Sequence, residues 1–459
     1  MKKIVAIIIS AVVCLSLSGC DFNIASVDSL MRPPKLSGDS SLLQEAFEKS
    51  VNYSESIIMK TPMSGENRSS YLFYDLDDDE KQEAFVFYSD PAIEDVAYVS
   101  TFKKIDGNWS CVSNIKGRGA DIYEVNFADI NGDGVKELVI SWNSSSQTEL
   151  AKFSDFGSSR NRTMTIYSYN GSALTLIKTE VFTKAFVDDL NGDNADELFV
   201  LNIDLSNQTK STVGKIISFN SEYEVVNQDE FTITGMLEIL NIVTDNYIFE
   251  DKVHTRLYID GLISETGVLT EVIDISHNDF AISLPLYESN ISETPLTLRD
   301  VRTISQDIDD DGIVEIPTLE TLLSGTSIAS DSVEPMPLNL TVWSELHDNV
   351  VTADFKCLLN STFGYMFVYP EEYIGSLTAV YNTDTTTLTF YALDENETLG
   401  SELFSVRVFS KLNWDENDFG YTKLDEKGAY VYGYMMLNDE NAESIIEYIT
   451  ENFVITEQV

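Results

Sequence analysis

Along most of the chain, apolar and polar residues alternate with a period of two, in short runs. Ser70 to Tyr74, Glu83 to Tyr88, Val96 to Phe102, Leu138 to Trp142 and Thr163 to Tyr169 are rich in β-branched and aromatic residues and bounded by Asn, Asp, Gly and Ser. Successive side chains of a strand point to opposite faces, so this pattern predicts half-buried strands. Asp106-Gly107, Asn170-Gly171 and Asp260-Gly261 fall between such runs and read as hairpin turns. The helical period shows in two places. Leu42, Leu43, Ala46, Phe47 and Val51 share one face after Gly38-Asp39-Ser40, and Ile445, Ile446, Ile449 and Phe453 share one after Asn438-Asp439. The expected fold class is mainly β.

An acidic pattern recurs within the strand-rich region. Oxygen-bearing side chains stand at positions 1, 3, 5 and 9 of four segments: Asp75, Asp77, Asp79, Glu83; Asp129, Asn131, Asp133, Glu137; Asp189, Asn191, Asp193, Glu197; and Asp307, Asp309, Asp311, Glu315. Their starts, at 75, 129, 189 and 307, lie 54, 60 and 118 residues apart. The last interval is about double, so a unit lacking the acidic loop is expected between, near Asp245 to Glu250. A period of this length, with about four short strands per unit, suits a propeller blade. Such a unit cannot bury its faces alone and must pack on its neighbours. A β-propeller of about five blades is expected over residues 55–360, with Thr318 to Pro337 as a long loop of the last blade. Residues 361–459 read as a small α+β C-terminal domain.

The acidic segments carry the clearest chemistry. Calcium takes six to eight oxygens, and a coiling loop turns alternate side chains toward one point. Glycine at position 6 permits the sharp turn, because a positive φ costs it little. The proposed ligands are the position-1, -3, -5 and -9 side chains named above, with the position-7 carbonyls of Lys81, Val135, Ala195 and Ile313. The first segment has Asp78 and Glu80 where glycine is expected, and is the weakest of the four. Magnesium suits a carboxylate-rich cage less well, since it demands an octahedron and keeps its waters. The closing acid at position 9 and the flanking strands set these loops apart from EF-hands. The pattern resembles the calcium loops of FG-GAP or VCBS repeats, found in integrin-α-like propellers. The resemblance covers about residues 55–360 and implies that each loop joins the first two strands of a blade, which the metal stiffens. That family more often has Asp at position 9, which puts direct coordination by Glu83, Glu137, Glu197 and Glu315 in question.

Charge and leader place the chain. With 29 Lys+Arg against 76 Asp+Glu, the formal net charge is −47. Such a field repels phosphate backbones, so nucleic acid is not an expected partner, while cations are attracted. Lys2 and Lys3 precede an apolar run from Ile4 to Leu17, which ends in Leu17-Ser18-Gly19-Cys20. This is the layout of a secretory signal. It resembles the lipobox of bacterial lipoproteins, which implies a diacylglycerol on Cys20, a signal peptide over 1–20 and a location on the outer face of the plasma membrane. Residues 21–54 then form a tether and a short helix. Cys14 leaves with the signal, so Cys111 and Cys357 remain, too few for a disulfide framework.

Catalytic signals are weak. His254, His277 and His347 are far apart in sequence and show no zinc spacing. Trp109, Trp142, Trp343 and Trp414 read as strand packing rather than a carbohydrate platform. The leading expectation is a lipid-anchored binding or adhesion module whose partner is an extracellular protein or glycan. An extracellular polymer hydrolase and a transport-associated solute-binding lipoprotein are the alternatives.

Overall fold

Strands account for nearly every element among the described residues, as the period-two pattern requires. A computed structural model describes residues 39–456 apart from 52–56, 91, 93, 144–161, 205–210, 250–251, 277–281, 285–295, 330–333, 348–349, 395, 415–419 and 439–441. The expected leader with Cys20, the stretch expected to be a tether up to residue 38, and His277 lie outside the described residues. Helix α1 (Asp39–Ser50) opens the described chain and buries Leu43 and Phe47.

Among the described residues, five sheets follow in chain order. The first contains β1 (Ile58–Met59), β2 (Tyr71–Tyr74), β3 (Glu83–Asp90), β4 (Glu94–Ile105) and β5 (Asn108–Lys116), with β1 and β2 sharing one edge of β3. The second is an antiparallel meander of β6 (Asp121–Ala128), β7 (Glu137–Asn143), β8 (Arg162–Tyr169) and β9 (Leu174–Phe182). The third repeats it with β10 (Lys184–Asp188), β11 (Glu197–Asp204), β12 (Ser211–Phe219) and β13 (Val225–Ile233). The fourth has β14 (Glu238–Phe249), β15 (Lys252–Leu262), β16 (Val268–Ser276) and β17 (Ile282–Leu284). It occupies the interval where the doubled spacing calls for a unit without an acidic loop.

The fifth sheet has ten strands. It starts with β18 (Ile316–Ile328), β19 (Met336–His347), β20 (Val350–Asn360) and β21 (Tyr365–Val368), then adds β22 (Leu377–Asn382), β23 (Thr387–Leu393), β24 (Leu399–Ser410), β25 (Thr422–Lys427), β26 (Tyr430–Met436) and, after helix α2 (Ala442–Asn452), β27 (Phe453–Ile455). Its order is β25-β26-β24-β23-β22-β18-β19-β20-β21-β27, so hydrogen bonding runs unbroken across residue 360. Ile445, Tyr448 and Ile449 of α2 pack on its apolar face with Phe367, Phe390 and Phe404.

Alternation along single strands decides which sheets touch. Phe85, Phe87 and Val99 of the first sheet pack with Leu138, Ile140 and Trp142 of the second. Val139 and Ile166, the opposite face of the second, meet Leu198 and Val200 of the third. Phe199 and Leu201, one residue on, face Leu257 and Ile259 of the fourth. Tyr258 and Val272 in turn meet Ile316 and Leu346 of the fifth. The face of the first sheet that looks away from the second, with Ala84, Val86 and Phe102, is covered by Leu43 and Phe47 of α1. Burying each such side chain contributes about 1.5–3 kcal/mol.

Three local expectations need correction. Asp260-Gly261 is no turn but lies inside β15. Asp260 is buried and accepts bonds from Arg299 at 2.7 Å and the Ser305 N–H at 2.7 Å, while Gly261 leaves room for Met236, whose Sδ would be 2.2 Å from an added Cβ. The dipeptide serves an ion pair and a close approach. Thr318 to Pro337 is not a single long loop: β18 runs to Ile328, pairing with β19 and then, past an irregularity between Thr321 and Thr326, in parallel with β22. Phe453 leaves the helical face and starts β27, which pairs with β21.

Candidate metal centre

All four acidic segments adopt one backbone conformation. The first three link consecutive strands, β2 to β3, β6 to β7 and β10 to β11, and the fourth leads into β18. Position 4 has a left-handed φ in each: Asp78 54°, Gly132 70°, Gly192 75° and Asp310 63°. Position 6 does so again: Glu80 63°, Gly134 87°, Asn194 70° and Gly312 93°. Two left-handed residues in alternation curl the chain into a cup. The first loop adopts this shape without glycine, at a cost of about 1–3 kcal/mol for each strained residue.

Hydrogen bonds fix the acids to the loop's own backbone. The position-1 carboxylates of Asp129 and Asp189 each accept three N–H bonds, from Gly132, Asp133 and Gly134 and from Gly192, Asp193 and Asn194. Asp307 accepts from Asp311 and Gly312, and Asp75 from Asp79. Asp79, Asp133, Asp193 and Asp311, at position 5, each accept the position-7 N–H at 2.8–2.9 Å. The carboxylates are thus oriented by the loop's own backbone, and Asp133 Oδ2 also accepts the Asn131 side-chain amide at 3.0 Å. Asp75, Asp77 and Glu83 bring carboxylate oxygens within 4.8 Å of one another, as do Asp307, Asp309 and Asp311. In the second and third loops, the position-3 amides of Asn131 and Asn191 accept the N–H of Asp133 and Asp193.

The position-9 glutamate is the most distinctive part. Glu83, Glu137, Glu197 and Glu315 are 0, 2, 1 and 0 % exposed. In every loop its Oε2 accepts the position-2 N–H, from Leu76, Ile130, Leu190 or Ile308, at 2.9–3.1 Å. The second oxygen varies. Oε1 of Glu137 accepts the Tyr223 hydroxyl at 2.8 Å, and Oε1 of Glu197 accepts the Asn191 amide at 3.0 Å. Oε1 of Glu315 accepts no hydrogen bond, and Oε1 of Glu83 has only the Lys103 ammonium, 3.5 Å away. Burial, reinforced by the neighbouring aspartates, pushes Glu137 and Glu315 up to about 7 and Glu197 up to about 8. Glu83 is also raised by burial and by Asp77, against the pull of the nearby Lys103. A buried, orphaned carboxylate oxygen beside further carboxylates needs a proton or a cation. The donors are all oxygen, so the residues fit a hard divalent ion.

Sequence reasoning missed the residues that brace the loops. Lys103 on β4 enters the first loop, 2.6 Å from Asp77, 3.2 Å from Asp79 and 3.5 Å from Glu83. Tyr223 reaches the second loop from the third sheet. Asp196, at position 8 of the third loop, accepts the Asp129 N–H at 2.7 Å, and its own N–H donates to the Asp129 carbonyl at 2.7 Å. The sequence hints at none of these, because each contact crosses between strands or sheets.

The other candidate groups lie elsewhere. Trp142 and Trp343 are fully buried, and Trp109 packs beneath α1. His254 lies 3.5 Å from Asp274, and His347 2.5 Å from Glu345. Cys111 is exposed, Cys357 is buried, and both are free. No helix among the described residues is long and apolar enough to cross a membrane. No protein-family model and no curated protein sequence matches the chain.

Proposed function

We propose that the protein is a lipid-anchored, extracytoplasmic calcium-binding array of propeller-type blades that serves as a binding or adhesion module for an extracellular protein or glycan. One observation carries this reading: four loops in phase with the sheets share a single cup geometry, each closed by a buried glutamate. Isolated acidic turns have no reason to bury a carboxylate at the same place four times. Calcium fits the oxygen donor set and tolerates the differing second partners of the glutamates. The face-to-face sheets support a blade array, and the leader ending in Cys20 supports the anchor. Stiffened loops on such an array hold a partner-binding surface in shape at low entropic cost.

Calorimetric titration of the full-length chain with calcium tests the reading, together with thermal melts in calcium and in chelator. Saturable binding and a melting temperature that falls on chelation are expected, with magnesium giving a smaller effect. Absence of binding heat together with an unchanged melt refutes it. Turnover of a glycan or peptide substrate, lost in a carboxylate variant, would instead assign the protein to the hydrolases.

A further inference from the structure

The first loop differs from the other three in one respect that extends the calcium reading and rests on it. Ala84 pairs with Phe102 across β3 and β4, which puts Lys103 opposite Glu83. The corresponding pairs Leu138–Tyr167, Leu198–Ile217 and Ile316–Ser344 put Ser168, Ser218 and Glu345 opposite Glu137, Glu197 and Glu315. Only the first loop therefore has a cationic side chain at this place. The Lys103 ammonium lies within 3.5 Å of the acids at positions 3, 5 and 9, the set that gathers round an ion in the calcium reading. The Tyr169 ring, from the β8–β9 hairpin of the next sheet, lies 6.0 Å from the same ammonium.

We propose that Lys103 is a built-in cation that takes the place of calcium in the first loop, so that the second, third and fourth loops bind metal and the first is permanently closed by the chain itself. An ammonium donates three hydrogen bonds and neutralises one charge, where calcium would neutralise two. The first loop can hold the ammonium because its acids are drawn round Nζ. The loop has also lost the glycines at positions 4 and 6 that the second loop keeps. The sheet next to α1 is then stable whatever the calcium level, while the three farther loops respond to it.

The test counts calcium sites by calorimetry on the full-length wild type and on two variants, Lys103→Met and Ser218→Lys, with folding checked by circular dichroism. Three sites are expected in the wild type, four in Lys103→Met and two in Ser218→Lys. In chelator, Lys103→Met should melt below the wild type, and saturating calcium should restore it. A wild-type count of four overturns the proposal, as does a count of three in both the wild type and folded Lys103→Met. A wild-type count of zero overturns the calcium reading itself and this proposal with it. Should Ser218→Lys fail to fold, the Lys103→Met count decides alone.

Discussion

Replacing Glu137 by glutamine should stabilise the metal-free protein at alkaline pH, although it removes a proposed ligand. Glu137 is 2 % exposed and its carboxyl is raised to about 7 from an ordinary 4.5. A raised folded value means that the protonated form suits the fold. The contribution is whole below 4.5 and is lost as pH rises through about 7. At about 1.4 kcal/mol per pH unit, the loss amounts to about 3 kcal/mol at pH 8 and stays under about 1 kcal/mol at pH 5. Glutamine keeps an oxygen for the Ile130 N–H, and its amide donates to the Tyr223 oxygen, so both contacts survive with no charge to bury. Urea unfolding of wild type and Glu137→Gln in chelator at both pH values reads the difference. The variant should gain about 3 kcal/mol at pH 8 and little at pH 5, whereas in calcium it should melt below the wild type. Equal effects at the two pH values in chelator, or destabilisation at pH 8, would refute the electrostatic reasoning whatever the metal.

Three further outcomes are expected. Asp133→Ala and Asp193→Ala each remove an oriented oxygen from one cup, and each should shrink the rise in melting temperature that calcium produces. Arg299→Met leaves Asp260 buried without its partner, since both side chains are wholly covered, and should cost about 3–5 kcal/mol in urea unfolding, part of which Asp260→Asn restores. Gly117→Ala puts a Cβ 2.3 Å from Trp142 and 2.7 Å from the Ala97 carbonyl, which should lower stability by about 1–3 kcal/mol and shift the tryptophan fluorescence.

What could be read from the residues was local. The runs at Glu83, Leu138 and Thr163 became strands within a few residues of their predicted ends, because alternation and turn chemistry act over neighbouring positions. The cup was legible as well, since its acidic positions and left-handed residues lie within nine consecutive places. Contacts set by register were not. Lys103 is twenty residues from Glu83, and only the β3–β4 pairing brings them together. Asp260-Gly261 carried a turn's composition but is held extended between β14 and β16, with its carboxylate on Arg299, thirty-nine residues on. The polar stretch after Thr318 became a strand by pairing with β19, and its last residues, Thr326 to Ile328, also pair in parallel with β22, whose partner residues begin at Val380. Composition cannot reveal a partner that arrives from so far away.

The braces also explain how the loops act on the whole array. The second loop is tied to the third by paired bonds between Asp129 and Asp196, and to the third sheet through Tyr223. Asp245 on β14, in the sheet that lacks a cup, accepts the Val314 N–H of the fourth loop at 3.2 Å and the Tyr258 hydroxyl at 2.9 Å. The second, third and fourth loops are therefore each bonded to a neighbouring loop or sheet, through Glu137 to Tyr223, Asp196 to Asp129 and the Val314 N–H to Asp245. Neighbouring sheets in a repeat array are joined mainly by such nearest-neighbour terms. On the proposed calcium reading, a metal held at such a boundary would add to the coupling between units, and small loops would govern the stiffness of a body many times their size.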